Sequence, residues 1–82
     1  MTTGKIEVRL FAYLRDLHPE AKKEGVLVVP LDKRTDVGTL VAELNLPGKE
    51  ISLVMVNGKH QRDDYVLKDG DRVGIFPMIG GG

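Results

Sequence analysis

Ile6, Val8 and Leu10 alternate with Lys5, Glu7 and Arg9, which is the period of a strand with one buried face. Phe11 and Ala12 extend this pattern into Tyr13–Leu17, where Leu14 and Leu17 have helical spacing but Pro19 follows closely, so a short helical turn or loop is expected. Pro19 to Gly25 is polar, and Val26–Leu31 is a β-branched run suited to a strand. Pro30 cannot donate to a ladder, which places that strand at an edge or ends it there. Val37, Leu40, Val41 and Leu44 then fall at i, i+3, i+4 and i+7, one apolar face of a helix. Thr35 or Asp36 is positioned to cap its first amides, Gly38 weakens it slightly, and Asn45 with Pro47-Gly48 closes it.

Ile51–Val56 reads as a third strand, and Asn57-Gly58 as a tight turn because both residues tolerate positive φ. After a polar stretch, Tyr65, Val66 and Leu67 supply further core contacts, and Asp69-Gly70-Asp71 turns the chain. The last strand is Arg72–Phe76, stopped by Pro77. The order strand, strand, helix, strand, short segment, strand predicts an α+β domain with one main helix packed on one face of a mixed sheet, the β-grasp arrangement. Residues 1–77 form this single domain, and residues 78–82 form a flexible C-terminal tail.

Composition bounds what such a domain does. At 82 residues there is room for one compact core and none for a large substrate cavity inside it. The few aromatics mean that aliphatic side chains must fill the interior. Twelve Lys and Arg balance twelve Asp and Glu, so bulk charge gives no pull toward nucleic acid or membrane, and the sequence shows no aromatic pair for stacking bases. No apolar run approaches the roughly 20 residues of a spanning helix, and the N-terminus lacks a signal core, so a cytoplasmic protein is expected. His18 and His60 stand alone in polar surroundings and read as solvated, with no metal site. The acidic residues Asp63-Asp64 and Asp69/Asp71 read as turn residues that bond the backbone locally. No acid, base and nucleophile set stands out, and the isolated chain is expected to be monomeric and catalytically silent.

The chemistry gathers in Met78-Ile79-Gly80-Gly81-Gly82. Consecutive glycines cost ordering entropy and bury nothing, which makes them a poor end for a structural strand. Without Cβ atoms they suit a narrow tunnel, where an extended tail delivers its carboxylate to another protein's reactive centre. That carboxylate is inert until activated, most simply by adenylation, after which it can accept sulfur or an amine. Because the chain has no cysteine, any sulfur it carries cannot sit on a thiol side chain. Frayed ends also carry glycines, but here the glycines directly follow a predicted strand. Phe76 either faces outward to anchor a partner or is buried in the core; Met78 and Ile79 read as interface contacts.

Phe11-Ala12-Tyr13-Leu14-Arg15-Asp16, the helix start at Thr35, Val37 and Leu40, Val56-Asn57-Gly58, and the ending Leu67–Pro77 followed by glycines resemble the ubiquitin-like sulfur carriers. Within that group the Phe-Ala-x-Leu-Arg-acid segment resembles the small subunit of molybdopterin synthase more than the thiamine sulfur carrier. The resemblance implies that Gly81-Gly82 is the reactive dipeptide. It implies an E1-like activating enzyme that uses ATP to adenylate the Gly82 carboxylate, and a persulfide-derived sulfur that displaces AMP. The thiocarboxylate at Gly82 would then donate sulfur to a pterin precursor held by the large subunit of molybdopterin synthase. Phe76, Pro77, Met78, Ile79 and Gly80 would form the partner interface, with no permanently bound cofactor. Conjugation of Gly82 to protein lysines, or sulfur delivery to thiamine or another metabolite, would use the same activation.

Overall fold

The computed structural model describes residues 4–22 and 24–79. Five strands, β1 (Lys5–Leu10), β2 (Val26–Pro30), β3 (Ile51–Val56), β4 (Lys59–His60) and β5 (Arg72–Pro77), form one sheet in the order β2-β1-β5-β3-β4. β1 and β5 run parallel, and every other neighbouring pair is antiparallel. A short helix α1 (Pro19–Lys22) and the main helix α2 (Val37–Glu43) complete the domain with 3₁₀ turns at Ala12–Leu17 and Gly48–Glu50. This is the expected mixed β-grasp sheet. Among the described residues no helix is long and apolar enough to cross a membrane.

The register explains why alternation in the sequence becomes a core. Val8 lies beside Leu27 on one side and Val73 on the other, and Val73 in turn meets Val56. Leu10, Ile75 and Val54 form the next row. All of these are buried, and with Val37 and Leu40 of α2 they belong to a core that is entirely aliphatic. Leu14 from the first 3₁₀ turn and Ala21 from α1 also reach it, so the Pro19–Gly25 connection is more structured than its polar sequence suggested.

Both ends of α2 are closed by identifiable bonds. Asp36 is the N-cap: its Oδ1 accepts from the Thr39 amide at 2.8 Å, while Thr35 is buried and its hydroxyl donates to the Lys33 carbonyl. The Val37 and Gly38 amides donate to the carbonyls of Tyr65 and Asp63, which ties the 61–67 segment to the helix start. Gly38 is there for proximity, since a Cβ would lie 3.2 Å from that of Asp63. At the other end Asn45, at φ 57°, donates to Ala42 and Leu46 donates to Val41, the paired bonds of a Schellman motif.

Turn chemistry follows the sequence reading. Asn57 and Gly58 have φ of 53° and 85°, as a two-residue hairpin between β3 and β4 requires. Asp71 is buried and fully engaged, its carboxylate accepting from the Asn57 side chain at 2.9 Å and the Lys68 amide at 2.8 Å. Asn57 returns an acceptor to the Arg72 amide, fastening the β3–β4 turn to the start of β5. Asp69 accepts from the Lys5 amide. His18 departs from the solvated reading: it is half-buried, with Nε2 2.5 Å from the Leu44 carbonyl at the end of α2. His60 is exposed on β4.

Two expectations follow. Ile75 is fully buried at the sheet centre and Val28 is 65% exposed, so Ile75→Val should lower stability by about 1 kcal/mol and Val28→Ala by less than about 0.5 kcal/mol. Urea unfolding of both variants checks this ranking, and equal losses would contradict it. The hydrogen bonds from Thr39 hold the Asp36 carboxyl below its ordinary range. A lowered folded-state pKa gives stability that is present above the unfolded-state value and is lost as pH falls through the folded-state one. Asp36→Asn keeps a capping oxygen but removes this titration, so its unfolding midpoint should fall less steeply than that of the parent protein on acidification.

Candidate functional site

The tail leaves the sheet from β5, and the parallel pairing with β1 determines what surrounds that exit. Leu10 opposite Ile75 brings the residues that follow them in the chain, Phe11 and Phe76, to the same end of the sheet. Their rings stack nearly parallel, with centroids 4.1 Å apart and planes 9° from coincidence. Both are half-buried, and Phe76 alternates with buried Ile75 and Pro77, so it projects from the sheet face opposite α2. This settles the orientation of Phe76 and supplies an aromatic pair that the sequence pattern did not show.

Gly74 makes room for the stack. A Cβ there would lie 3.3 Å from the Phe11 ring and 3.4 Å from that of Phe76. Glu7, Arg9, Met55 and Arg72 continue the same open face around a shallow groove of about 390 Å³. A larger groove of about 720 Å³ lies among residues of α2, β3 and the 60–64 segment, but none of the predicted site residues lines it. Among the described residues no group of three or more His, Asp or Glu side chains is placed to hold a metal ion.

β3 adjusts its register just where the tail departs. Leu53 pairs with Phe76, whereas Ile51 pairs with Pro77, so Ser52 is an extra residue, a β-bulge. The bulge lets Ile51 turn toward the core although Leu53 lies on the open face with Phe76. It also suits Pro77, which has no N–H to offer a ladder. Hydrogen bonding resumes one residue later, where the Met78 amide donates to the Glu50 carbonyl at 2.8 Å. The Glu50 carboxylate in turn accepts from the Tyr13 hydroxyl. That bond to Glu50, then partial burial, raises the Tyr13 phenol above its ordinary pKa.

The predicted site residues thus divide. Phe76 is a half-buried open-face aromatic, Pro77 is buried at the strand end, and Met78 and Ile79 are 57% and 79% exposed. Gly80, Gly81 and Gly82 lie outside the described residues. Sequence reasoning did not single out Glu50, whose only local signal is its position before a strand, nor the pairing of Phe11 with Phe76, which depends on register between the chain's two ends.

Comparison with known proteins agrees with this geometry. The model of the family described as Mut7-C ubiquitin matches residues 3–80. No curated protein matches the chain by sequence. Among solved structures, a Pyrococcus furiosus protein assigned as subunit 1 of the molybdopterin converting factor is similar at a TM-score of 0.70 and 28% identity, over 93% of this chain and 99% of that one. Small archaeal modifier protein 1 from Haloferax volcanii gives 0.65 and 26%, over 96% and 100%. Subunit 1 or 2 in a complex of the two molybdopterin-converting factor subunits from Helicobacter pylori shares the fold at 0.59 and 24%, over 95% and 99%. A match across nearly the whole length, carried by a five-stranded β-grasp sheet, means that the chain belongs to the Mut7-C ubiquitin family.

Proposed function

We propose that this protein is a sulfur carrier that works through a carboxylate at Gly82 in molybdopterin synthesis. The observation that carries the reading is the exit itself: β5 is held on both sides, among the described residues its final backbone bond is made at Met78, and exposed Met78 and Ile79 precede the glycines in the chain. A rigid root with an apolar grip and a tail without side chains is what insertion into a partner's tunnel needs, because little else must be ordered on binding. The likeness to the Pyrococcus furiosus subunit 1 supports molybdopterin as the pathway, and the two-subunit Helicobacter pylori complex supports a large synthase subunit as the acceptor partner.

In this mechanism an ATP-dependent activating enzyme joins the Gly82 carboxylate to AMP and releases pyrophosphate. A persulfide sulfur attacks the acyl carbon, AMP leaves, and a thiol cleaves the resulting S–S bond to leave the thiocarboxylate. The large synthase subunit then holds the pterin precursor that receives the sulfur. Phe76, Met78 and Ile79 supply contacts for these partners, while Gly74 and Ile75 act as scaffold.

A second reading, conjugation of Gly82 to lysine side chains, is favoured by the likeness to small archaeal modifier protein 1. Activation is shared, and only the nucleophile that takes the acyl group differs. Lysine adducts in cells containing the activating enzyme would select this reading.

Intact mass after incubation with ATP, the activating enzyme and a persulfide donor tests the carrier chemistry. Replacement of one oxygen by sulfur at Gly82 is the expected result, and an unchanged mass with a demonstrably active enzyme overturns it. Deleting Gly82 should abolish sulfur transfer and leave the unfolding midpoint where it was.

A further inference from the structure

β5 is flanked by β1 on one side and β3 on the other. Because β1 is parallel to β5 and β3 antiparallel, the end of β1, the end of β5 and the start of β3 all lie at one end of the sheet. Tyr13 follows β1 within the Ala12–Leu17 turn, and Glu50 immediately precedes β3. Their side-chain hydrogen bond therefore links the two neighbours of β5 at the end where the chain leaves the sheet.

Each end of this link is fixed by a different device. On the first side, Leu14 is fully buried, the Leu14 amide donates to the Phe11 carbonyl, and the Phe11 ring rests on Phe76. On the second, the Glu50 amide donates to Pro47 within a three-residue 3₁₀ turn, and the Ser52 bulge separates Glu50 from the continuous part of the β3–β5 ladder. Glu50 is exposed and uses its carbonyl to hold Met78, so a short turn alone would leave that last bond weakly supported. Tyrosine is suited to the task, since its ring loses few rotamers when its hydroxyl is bonded.

We infer that Tyr13 is a positioning residue for the root of the tail: by tethering Glu50 it steadies the carbonyl that binds Met78, and so holds the chain at Met78 where it leaves the sheet. The structural part stands on these contacts; the consequence for activation rests on the carrier reading of Gly82. Tyr13→Phe removes only the hydroxyl. Glu50→Gln keeps an acceptor for it, though one without charge.

Amide hydrogen exchange of the whole chain, read residue by residue, tests the inference. In Tyr13→Phe the Met78 amide should exchange about 2–5-fold faster, the scale of one partly exposed hydrogen bond, with the Ile75 amide unchanged. Glu50→Gln should lie between the parent protein and Tyr13→Phe. With the activating enzyme, Tyr13→Phe should raise KM by a similar factor and leave kcat near the parent value, because a looser tail costs binding rather than chemistry. A Met78 exchange rate equal to that of the parent, or one that rises only in step with Ile75, overturns the inference. Failure of the parent protein to accept sulfur would count against the carrier reading, and the exchange comparison would still decide the role of Tyr13.

Discussion

The parallel pairing of the first strand with the last is the contact on which the rest of the molecule depends. It joins segments from opposite ends of the chain and aligns Val8 with Val73 and Leu10 with Ile75, the centre of the core. Parallel neighbours cannot be connected by a tight turn. The intervening chain here supplies α2, β3 and the 61–67 segment that closes the N-terminus of α2. Loop closure over such a distance is costly before the contacts repay it, which places this pairing among the slow events of folding.

The same pairing separates two chemistries across the thickness of one sheet. Toward α2 the buried core of the sheet is aliphatic, while both phenylalanines stand on the opposite face. The rings are held there by a glycine that leaves them space and by a register that brings them level. At this end of the sheet the bulge at Ser52 sends Ile51 to the core and Leu53 to the open face, so β3 serves both surfaces within three residues. An aromatic pair on a face that also carries Glu7, Arg9 and Arg72 is thereby placed beside the departing Met78 and Ile79.

Much of this was legible in the sequence. Alternation locates β1, the turn at Asp69-Gly70-Asp71 and the stop at Pro77 locate β5, a helical period locates α2, and Asn57-Gly58 announces its hairpin, because each depends on residues close together in the chain. The architecture followed from their order. Choosing between Thr35 and Asp36 as the cap required knowing that the 61–67 segment folds back over this corner and that Leu67 donates to the Thr35 carbonyl. The side of the sheet taken by Phe76, the burial of Pro77 and the contact of His18 with α2 all depend on partners distant in sequence, which periodicity does not encode. Glu50 gives no signal beyond its position before β3, since its carbonyl bond to Met78 and its carboxylate bond to Tyr13 both reach partners distant in sequence. Gly81 and Gly82 are put forward by the opposite route, from composition and family likeness, and they lie outside the described residues.

β5 is an interior strand, bonded along both edges, and the tail continues from its end. A pull applied at the C-terminal end of β5 along the strand axis loads the two flanking ladders in shear. Ladder bonds in the antiparallel pair lie across that axis and resist together, whereas bonds at a peeling edge would fail one after another. The sheet is in this sense a mechanical anchor: force applied where β5 ends is spread across its middle instead of falling on one edge strand.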